Sequence, residues 1–461
     1  MKIFGRVFIV GLLALFLGLA PNAGKAAEQK SVAEKILEIL LDRGEITPRQ
    51  YRELKEEARA EHEALIRKEE EDWDVKWKNG LSAESPDGNF FIKLGGRVQI
   101  DWASISADDE VEDALGEDFE GFGTEFRRAR LFMSGMIYKV AEYKAQFDFA
   151  GDEVTAKDLY LGLTDIPVVD KIRIGHQKEP FSLEEQTSSK YITFLERGLP
   201  NVFSPGRNMG VQIMNSALDK KLFWGAGVFW DTEDGAENFN DFADYNITAR
   251  VAGTPWYSEG GRRLLHLGLG YSHLFRDDEE TAFRFRQRPE IHLAQARTVD
   301  TGDIDDFPRF FDGQDLIGAE AAVVFGPLSV QGEYIRAMVD GMNEDYDFNG
   351  AYVYASYFLT GESRPYKGGS FSRVKPDSNF DLQGGLGAWE IAVRWSWLDL
   401  TDGGIDGGEE TNYTVGVNWY LNPALRVMVN YVYGNVEDRD IDGTISDADI
   451  NAVAGRFAID F

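Results

Sequence analysis

Arginine and lysine recur on one side of many short segments of this chain. Lys93, Arg97, Arg128, Arg130, Lys144, Arg173, Arg250, Arg394, Arg426 and Arg456 all alternate with apolar neighbours. Such side chains offer anions charge-assisted hydrogen bonds, and a guanidinium matches two oxygens of a phosphate or carboxylate in one fork. A succession of weak sites passes an ion along, whereas one tight site holds it. A second reading pairs the same residues with carboxylates on the same faces, such as Asp101, Asp148 and Asp158, so that they stiffen a wall. Two further basic groups lie between the alternating segments. Arg284, Arg286 and Arg288 stand at spacing two, which puts all three on one side of an extended chain, where they repel unless an anion or carboxylates sit among them. Residues 178–207 contain Lys178, Lys190, Arg197 and Arg207 among Glu179, Glu184, Glu185 and Glu196. That stretch is close to neutral, a candidate constriction rather than a strong anion filter.

Groups for catalysis are sparse. The five histidines fall at no metal-ligand spacing. Ser272 and His273 are adjacent, and neighbours on a strand point to opposite faces, so they form no dyad. Gly268 and Gly270 open a glycine pattern in which His273 stands where a dinucleotide loop needs its third glycine. The expectation is therefore no enzyme, no cofactor and no metal.

The elements that would position the basic residues read as strands. From Phe90 to Trp102, Ile92, Leu94, Val98, Ile100 and Trp102 share one face while Lys93, Arg97, Gln99 and Asp101 share the other. The same period of two runs through 128–137, 143–149, 159–163, 172–177, 247–251, 389–397, 413–419, 425–433 and 453–461. Short connections at 138–141, 165–170, 218–221, 326–327 and 422–423 alternate with long ones, as turns and loops do at the two ends of a transmembrane barrel. A candidate strand at Phe283 to Ala296 has the wrong parity and is read as part of a long outer loop, about 276–314. About sixteen antiparallel strands remain, an even number. Loops 178–207 and 276–314, and an unusually long inner connection at 361–387, are the segments available to narrow so wide a barrel. Trp102, Trp230, Trp256, Tyr357 and Trp419, near strand ends, suit interfacial girdles, and Phe461 ends an alternating strand on an aromatic.

The N-terminal part differs. Residues 1–27 combine Lys2 and Arg6 with an apolar stretch from Val7 to Leu19 and small residues at Gly24 and Ala26, the pattern of a secretory signal. Residues 28–80 are rich in charge, with Ile36, Leu37, Leu40 and Leu41 at helical spacing, then a break at Gly44. Thr47, Pro48 and Gln50 supply an N-cap, a first-turn proline and a capping partner for a second helix. A periplasmic helical or coiled-coil segment is expected there, with the barrel over 90–461.

Composition agrees. After the first segment no twenty-residue apolar run occurs, which excludes a helical membrane protein. The absence of cysteine excludes a disulfide-stapled secreted domain, and the net charge of -31 argues against nucleic acid as partner. Much of the negative charge falls in 108–120, 231–244, 300–315 and 437–449. An acidic mouth repels incoming anions within a Debye length and offers divalent cations a bridge to lipopolysaccharide.

Several stretches together carry a family resemblance: Gly95-Gly96-Arg97 with Asp101, Glu125 to Arg130, Gly175 to Phe181, Arg286 to Glu290, Gly326-Pro327 with Gln331 to Tyr334, Gly361 to Tyr366, and Gly387 to Glu390. In these the chain resembles the phosphate-selective porin O and P family. The resemblance implies a sixteen-stranded, usually trimeric channel set in outer-membrane lipid, whose infolded loops narrow it and whose arginines and lysines guide phosphate or similar small inorganic anions; the terminal aromatic strand is the ending such barrels show to the barrel assembly machinery. A general or cation-preferring porin, or a membrane anchor for a helical stalk, are the alternatives.

Overall fold

A computed structural model describes residues 41, 47–56, 73–116, 119–232, 244–276, 284–302, 311–341, 344–441 and 443–461. The expected signal at 1–27, most of the helical segment, Phe283, and much of the acidic stretches 231–244 and 300–315 lie outside them. The chain divides into two units, Met1–Asp72 and Trp73–Phe461.

In the first unit, residues 48–56 are helical. The Thr47 amide donates to Gln50 Oε1 at 3.0 Å and the Gln50 amide to Thr47 Oγ1 at 3.3 Å, which is the reciprocal cap that the Thr-Pro-x-Gln spacing predicts.

The second unit is a closed antiparallel barrel of sixteen strands. In chain order these are β1 (Phe90–Ala107), β2 (Gly121–Ile137), β3 (Ala141–Asp148), β4 (Thr155–Ile166), β5 (Asp170–Lys178), β6 (Arg207–Ala217), β7 (Leu222–Trp230), β8 (Tyr245–Ser258), β9 (Arg263–Phe275), β10 (Phe311–Phe325), β11 (Leu328–Gly341), β12 (Tyr346–Phe358), β13 (Ala388–Asp402), β14 (Ile405–Asn422), β15 (Leu425–Asp440) and β16 (Thr444–Asp460). Each pairs with the next, and β16 closes on β1 from Asp460 opposite Arg97 to Ile450 opposite Ala107. Closure removes the unpaired edges that an open sheet would present to lipid. The alternation fixes the faces: on β14, Tyr413, Val415 and Val417 point outward while Asn412, Thr414 and Asn418 are buried inside. No described helix is long and apolar enough to cross a membrane.

Residues 284–302 contribute no barrel strand, and their only paired segment is Arg286–Gln287 with Val299–Asp300. The acidic stretch 437–449, expected as a loop, is mostly strand, with β15 and β16 continuing to Asp440 and from Thr444. Side chains explain this: Tyr433 Oη and Asn435 Nδ2 donate across the pair to Asp449 and Asp447 at 2.7 and 2.9 Å, giving polar strands their own cross-strand bonds. Residues 74–80 are likewise not helical. Asp74–Trp77 and Leu81–Glu84 form a hairpin whose second strand pairs with β1, Leu81 opposite Leu94. The alternation of Trp73, Val75 and Trp77 with Asp74 and Lys76 suits a strand, and Asn79 and Gly80, at φ 53° and 118°, supply its left-handed turn.

Two long loops enter the barrel from the end opposite the short turns, and residues 359–387 enter from the short-turn end. The first two bury a core against the inner wall that includes Phe181, Leu199, Phe203, Phe285, Val299, Phe348 and Val432, while Phe371 and Val374 of the third pack in smaller clusters with Leu264 and Phe358. The Tyr366–Lys367 and Ser370–Phe371 hairpin of the third segment is held by Tyr366 Oη against His266 Nδ1 at 2.7 Å, and by Arg250, which donates to Gly369 O at 2.8 Å.

Candidate functional site: a constriction lined by basic residues

Residues 179–206 fold into the barrel interior, and the inner wall holds them strand by strand. Ser182 caps the short helix Leu183–Gln186, accepting from the Glu185 amide at 3.1 Å. The amides of Leu183 and Glu184, at the start of that turn, donate to the Glu333 carboxylate on β11 at 2.9 and 2.7 Å. Leu199 N donates to Ser396 Oγ on β13 at 2.9 Å, Asn418 on β14 and Arg426 on β15 donate to Thr193 O, and Arg456 on β16 donates to Leu195 O at 2.7 Å. These bonds satisfy backbone groups that a buried loop would otherwise leave unpaired. The loop thus lies along β11 to β16 and faces the wall of β1 to β6.

That wall is basic. On β2 a bulge inserts Arg127, because Gln99 opposes Arg128 while the next residue, Ile100, opposes Phe126. Arg127 and Arg128 consequently both reach Glu196 on the loop, at 2.8 and 3.5 Å. Arg456 joins the same carboxylate at 2.7 Å and binds Asp101 through two nitrogens at 2.7 and 2.6 Å. Arg130 pairs with Asp148 at 2.5 Å, Arg173 with Glu142 at 2.5 Å, and Asp158 is shared by Arg207, at 2.7 Å, and Lys144. Arg197 and Lys178 both contact Glu185, at 3.3 and 2.8 Å. Burial alone would raise the Glu185 carboxyl, but Arg197, Lys178 and Arg207 hold it down at about 2. Around the gap, then, cations outnumber carboxylates.

Arg97 and Lys190 make the excess explicit. Arg97 donates to Ser189 Oγ at 2.5 Å and has no carboxylate within 4 Å among the described residues. Among the carboxylates of the described residues Lys190 reaches only Asp460, at 3.9 Å, and it lies over the rings of Phe132 and Tyr191 at 5.8 and 5.4 Å. Burial, reinforced by Arg97, Arg373, Lys144 and Lys93, pulls the Lys190 ammonium down to about 7.

The sequence-derived residues therefore divide. Arg97, Arg128, Arg130, Lys144, Arg173, Lys178, Lys190, Arg197 and Arg207 come together at or beside the gap, most of them paired as the wall-stiffening reading expects. Arg250 lies on β8, bound to Glu320 at 2.6 Å. Arg284 is bidentate to Asp300 at 2.6 Å, and Arg286 is exposed on the two-residue strand. Arg288 is turned back toward the lumen: burial and its neighbours Arg297 and Arg127 pull it down to about 10. Regular alternation assigns Arg127 to the outer face, and the bulge turns it inward. Two adjacent arginines inside an alternating strand were the available signal of a bulge.

Residues 92–461 match the model of the family phosphate-selective porin O and P. The chain belongs to this family. It is 28% identical over 424 residues to Porin O of Pseudomonas aeruginosa, across 81% of this chain and 91% of that protein. It is also 28% identical over 404 residues to an uncharacterized protein of Caulobacter vibrioides, across 84% and 77%. Among solved structures, the anion-selective porin from Comamonas acidovorans is similar at a TM-score of 0.51 and 14% identity, over 81% of this chain and 100% of that one. OmpT, an outer membrane protein of Vibrio cholerae, is similar at 0.50 and 12%, over 80% and 98%. Both likenesses concern the barrel fold. The protein is an outer-membrane porin.

Proposed function

We propose that this porin passes small inorganic anions, phosphate first, by passive diffusion past residues 185–197 and the wall of β1 to β6 that they contact. Arg97, Arg128, Arg130, Lys144 and Arg173 on the wall, with Lys178, Lys190, Arg197, Arg207 and Arg288, line this path. The observation that carries the reading is the surplus of positive charge at the gap, where, among the described residues, Arg97 meets a hydroxyl and Lys190 has a single carboxylate at the outer limit of an ion pair, 3.9 Å. Fixed cations in a narrow, partly desolvated passage favour anions over cations at distances shorter than the Debye length. The acidic residues at the long-loop mouth, among them Asp108, Glu437 and Asp449, favour instead a cation-preferring porin.

A pH titration separates the two. The Lys190 ammonium is charged below its pKa and neutral above it, so anion preference should fall as pH rises through about 7 toward about 9. Lys190→Arg, which keeps its charge, should flatten that slope. A reversal potential under a salt gradient that is flat in the parent protein and unchanged by the substitution would count against the path.

Arg288→Ala should lower anion preference severalfold. Arg284→Ala should leave selectivity in place and loosen the hairpin at Asp300, read as faster proteolysis within 284–302. Equal effects of the two on reversal potential would remove Arg288 from the path.

By the same reading the porin is a homotrimer, inserted by the barrel assembly machinery, contacting lipopolysaccharide at its acidic mouth and holding its helical segment in the periplasm. Cross-linking the full chain and a variant lacking residues 28–72 tests the segment's part in trimer formation.

A further inference from the structure

On the short-turn side of the loop, the inner faces of β1 to β3 border a cavity of 390 Å³. Four cations line it, Lys93, Arg97, Lys144 and Lys190, together with the rings of Phe91 and Phe132. The register builds this arrangement. Lys93 opposes Ser134, which opposes Lys144, so the two lysines share a row of the inner face two strands apart. One row away, Phe132 opposes Gly95. A Cβ on Gly95 would come within 2.6 Å of the Phe132 ring, so glycine there is what lets the ring lie across β1. The ammoniums of Lys144 and Lys190 stand 5.9 and 5.8 Å from the centre of that ring.

The nearby carboxylates are engaged elsewhere. Glu142 is bound by Arg173 and Lys171, Asp158 is divided between Lys144 and Arg207, and Asp460, 3.9 Å from Lys190, is bound more closely by Arg373. Lys93, Arg97 and Lys190 remain to meet an anion. A hydrated inorganic phosphate, however, gains nothing from a phenyl ring, and the cavity falls in the size range of pockets that hold small organic molecules, roughly 300–1,000 Å³. Apolar rings in a wet lumen contribute only when a solute's own apolar surface covers them.

We infer that this cavity is a binding site for organic phosphomonoesters with a flat or aromatic body. The phosphate is held by Lys93, Arg97 and Lys190 and the body lies on Phe91 and Phe132. The inference rests on the anion-porin reading and adds to it a preference that inorganic phosphate transport does not require.

The test is current block in planar bilayers, comparing phenyl phosphate with inorganic phosphate added from the short-turn side. The unmodified porin should be half-blocked by phenyl phosphate at about one-tenth the concentration of inorganic phosphate, the factor expected of one aromatic contact. Phe132→Ser should bring that ratio toward one. Equal half-block concentrations in the unmodified porin would overturn the site and leave the anion-porin reading standing. A channel with no anion preference, blocked by neither compound, would overturn both. Because the deciding ratio is read on the unmodified protein, the outcome does not depend on the variant's folding.

Discussion

Lys190→Glu turns the porin from anion-preferring to cation-preferring. Lys190 stands on the loop opposite the basic wall, with Asp460 at 3.9 Å as its only carboxylate among the described residues. A unit charge about 4 Å from a passing ion acts with about 1 kcal/mol in water-like surroundings, and more where the gap excludes water. Reversing the charge counts that twice, a change of roughly thirtyfold in the permeability ratio. Lys190→Gln should produce about half the effect on a logarithmic scale. Because Arg97, Lys144 and Lys93 already crowd this position, losing the ammonium relieves repulsion, and the fold should tolerate the change. Reversal potentials in a salt gradient report the result. A glutamate variant that remains anion-preferring would move the filter away from this loop.

The second large effect is expected at Arg456, whose role is to hold the loop in place. It is fully buried, bidentate to Asp101, paired with Glu196 and bonded to Leu195 O. Arg456→Ala leaves two carboxylates short of a counter-charge, a cost of about 3–5 kcal/mol for a broken buried pair. The sixteen-strand ladder does not depend on this contact, whereas residues 195–196 do. Relief therefore comes most readily from loop movement, with Glu196 remaining on Arg127 and Arg128. Single-channel conductance should rise and anion preference should fall, while heat resistance of the barrel in detergent is retained. Adding Asp101→Asn should restore part of the loop's order by removing one stranded charge. Unchanged conductance in Arg456→Ala would mean that the bonds to β11, β13, β14 and β15 suffice to hold the loop.

The barrel was legible because its determinants are local. Period-two segments such as 90–102 and 425–433 carry their two faces in adjacent residues, and short turns such as Gly326-Pro327 mark one end. A closed barrel with both ends on one side requires an even strand count, and that alone excludes a strand over Phe283 to Ala296. The hairpin at 74–84 was hidden at the end of a highly charged stretch with helical spacing, and Asn79-Gly80 was the cue that outweighed it. The loop's path was not legible, because its anchors are distant in sequence: Glu333 holds Leu183 and Glu184 from about 150 residues away. Residue types showed that Lys190 and Arg97 were candidates. Only the register, with Glu142, Asp148 and Asp158 placed beside other cations, shows which positive charges are left over.

This surplus should make the lumen an anion filter despite a chain of net charge -31. The most direct measurement is the reversal potential of the purified porin in a planar bilayer under a potassium chloride gradient, repeated as phosphate is titrated in. The account predicts a potential of the sign carried by chloride and a chloride current that phosphate reduces in a saturable way. A potential of the opposite sign, with chloride current indifferent to phosphate, would mean that the acidic mouth governs selectivity and that the interior arginines serve only to stiffen the wall.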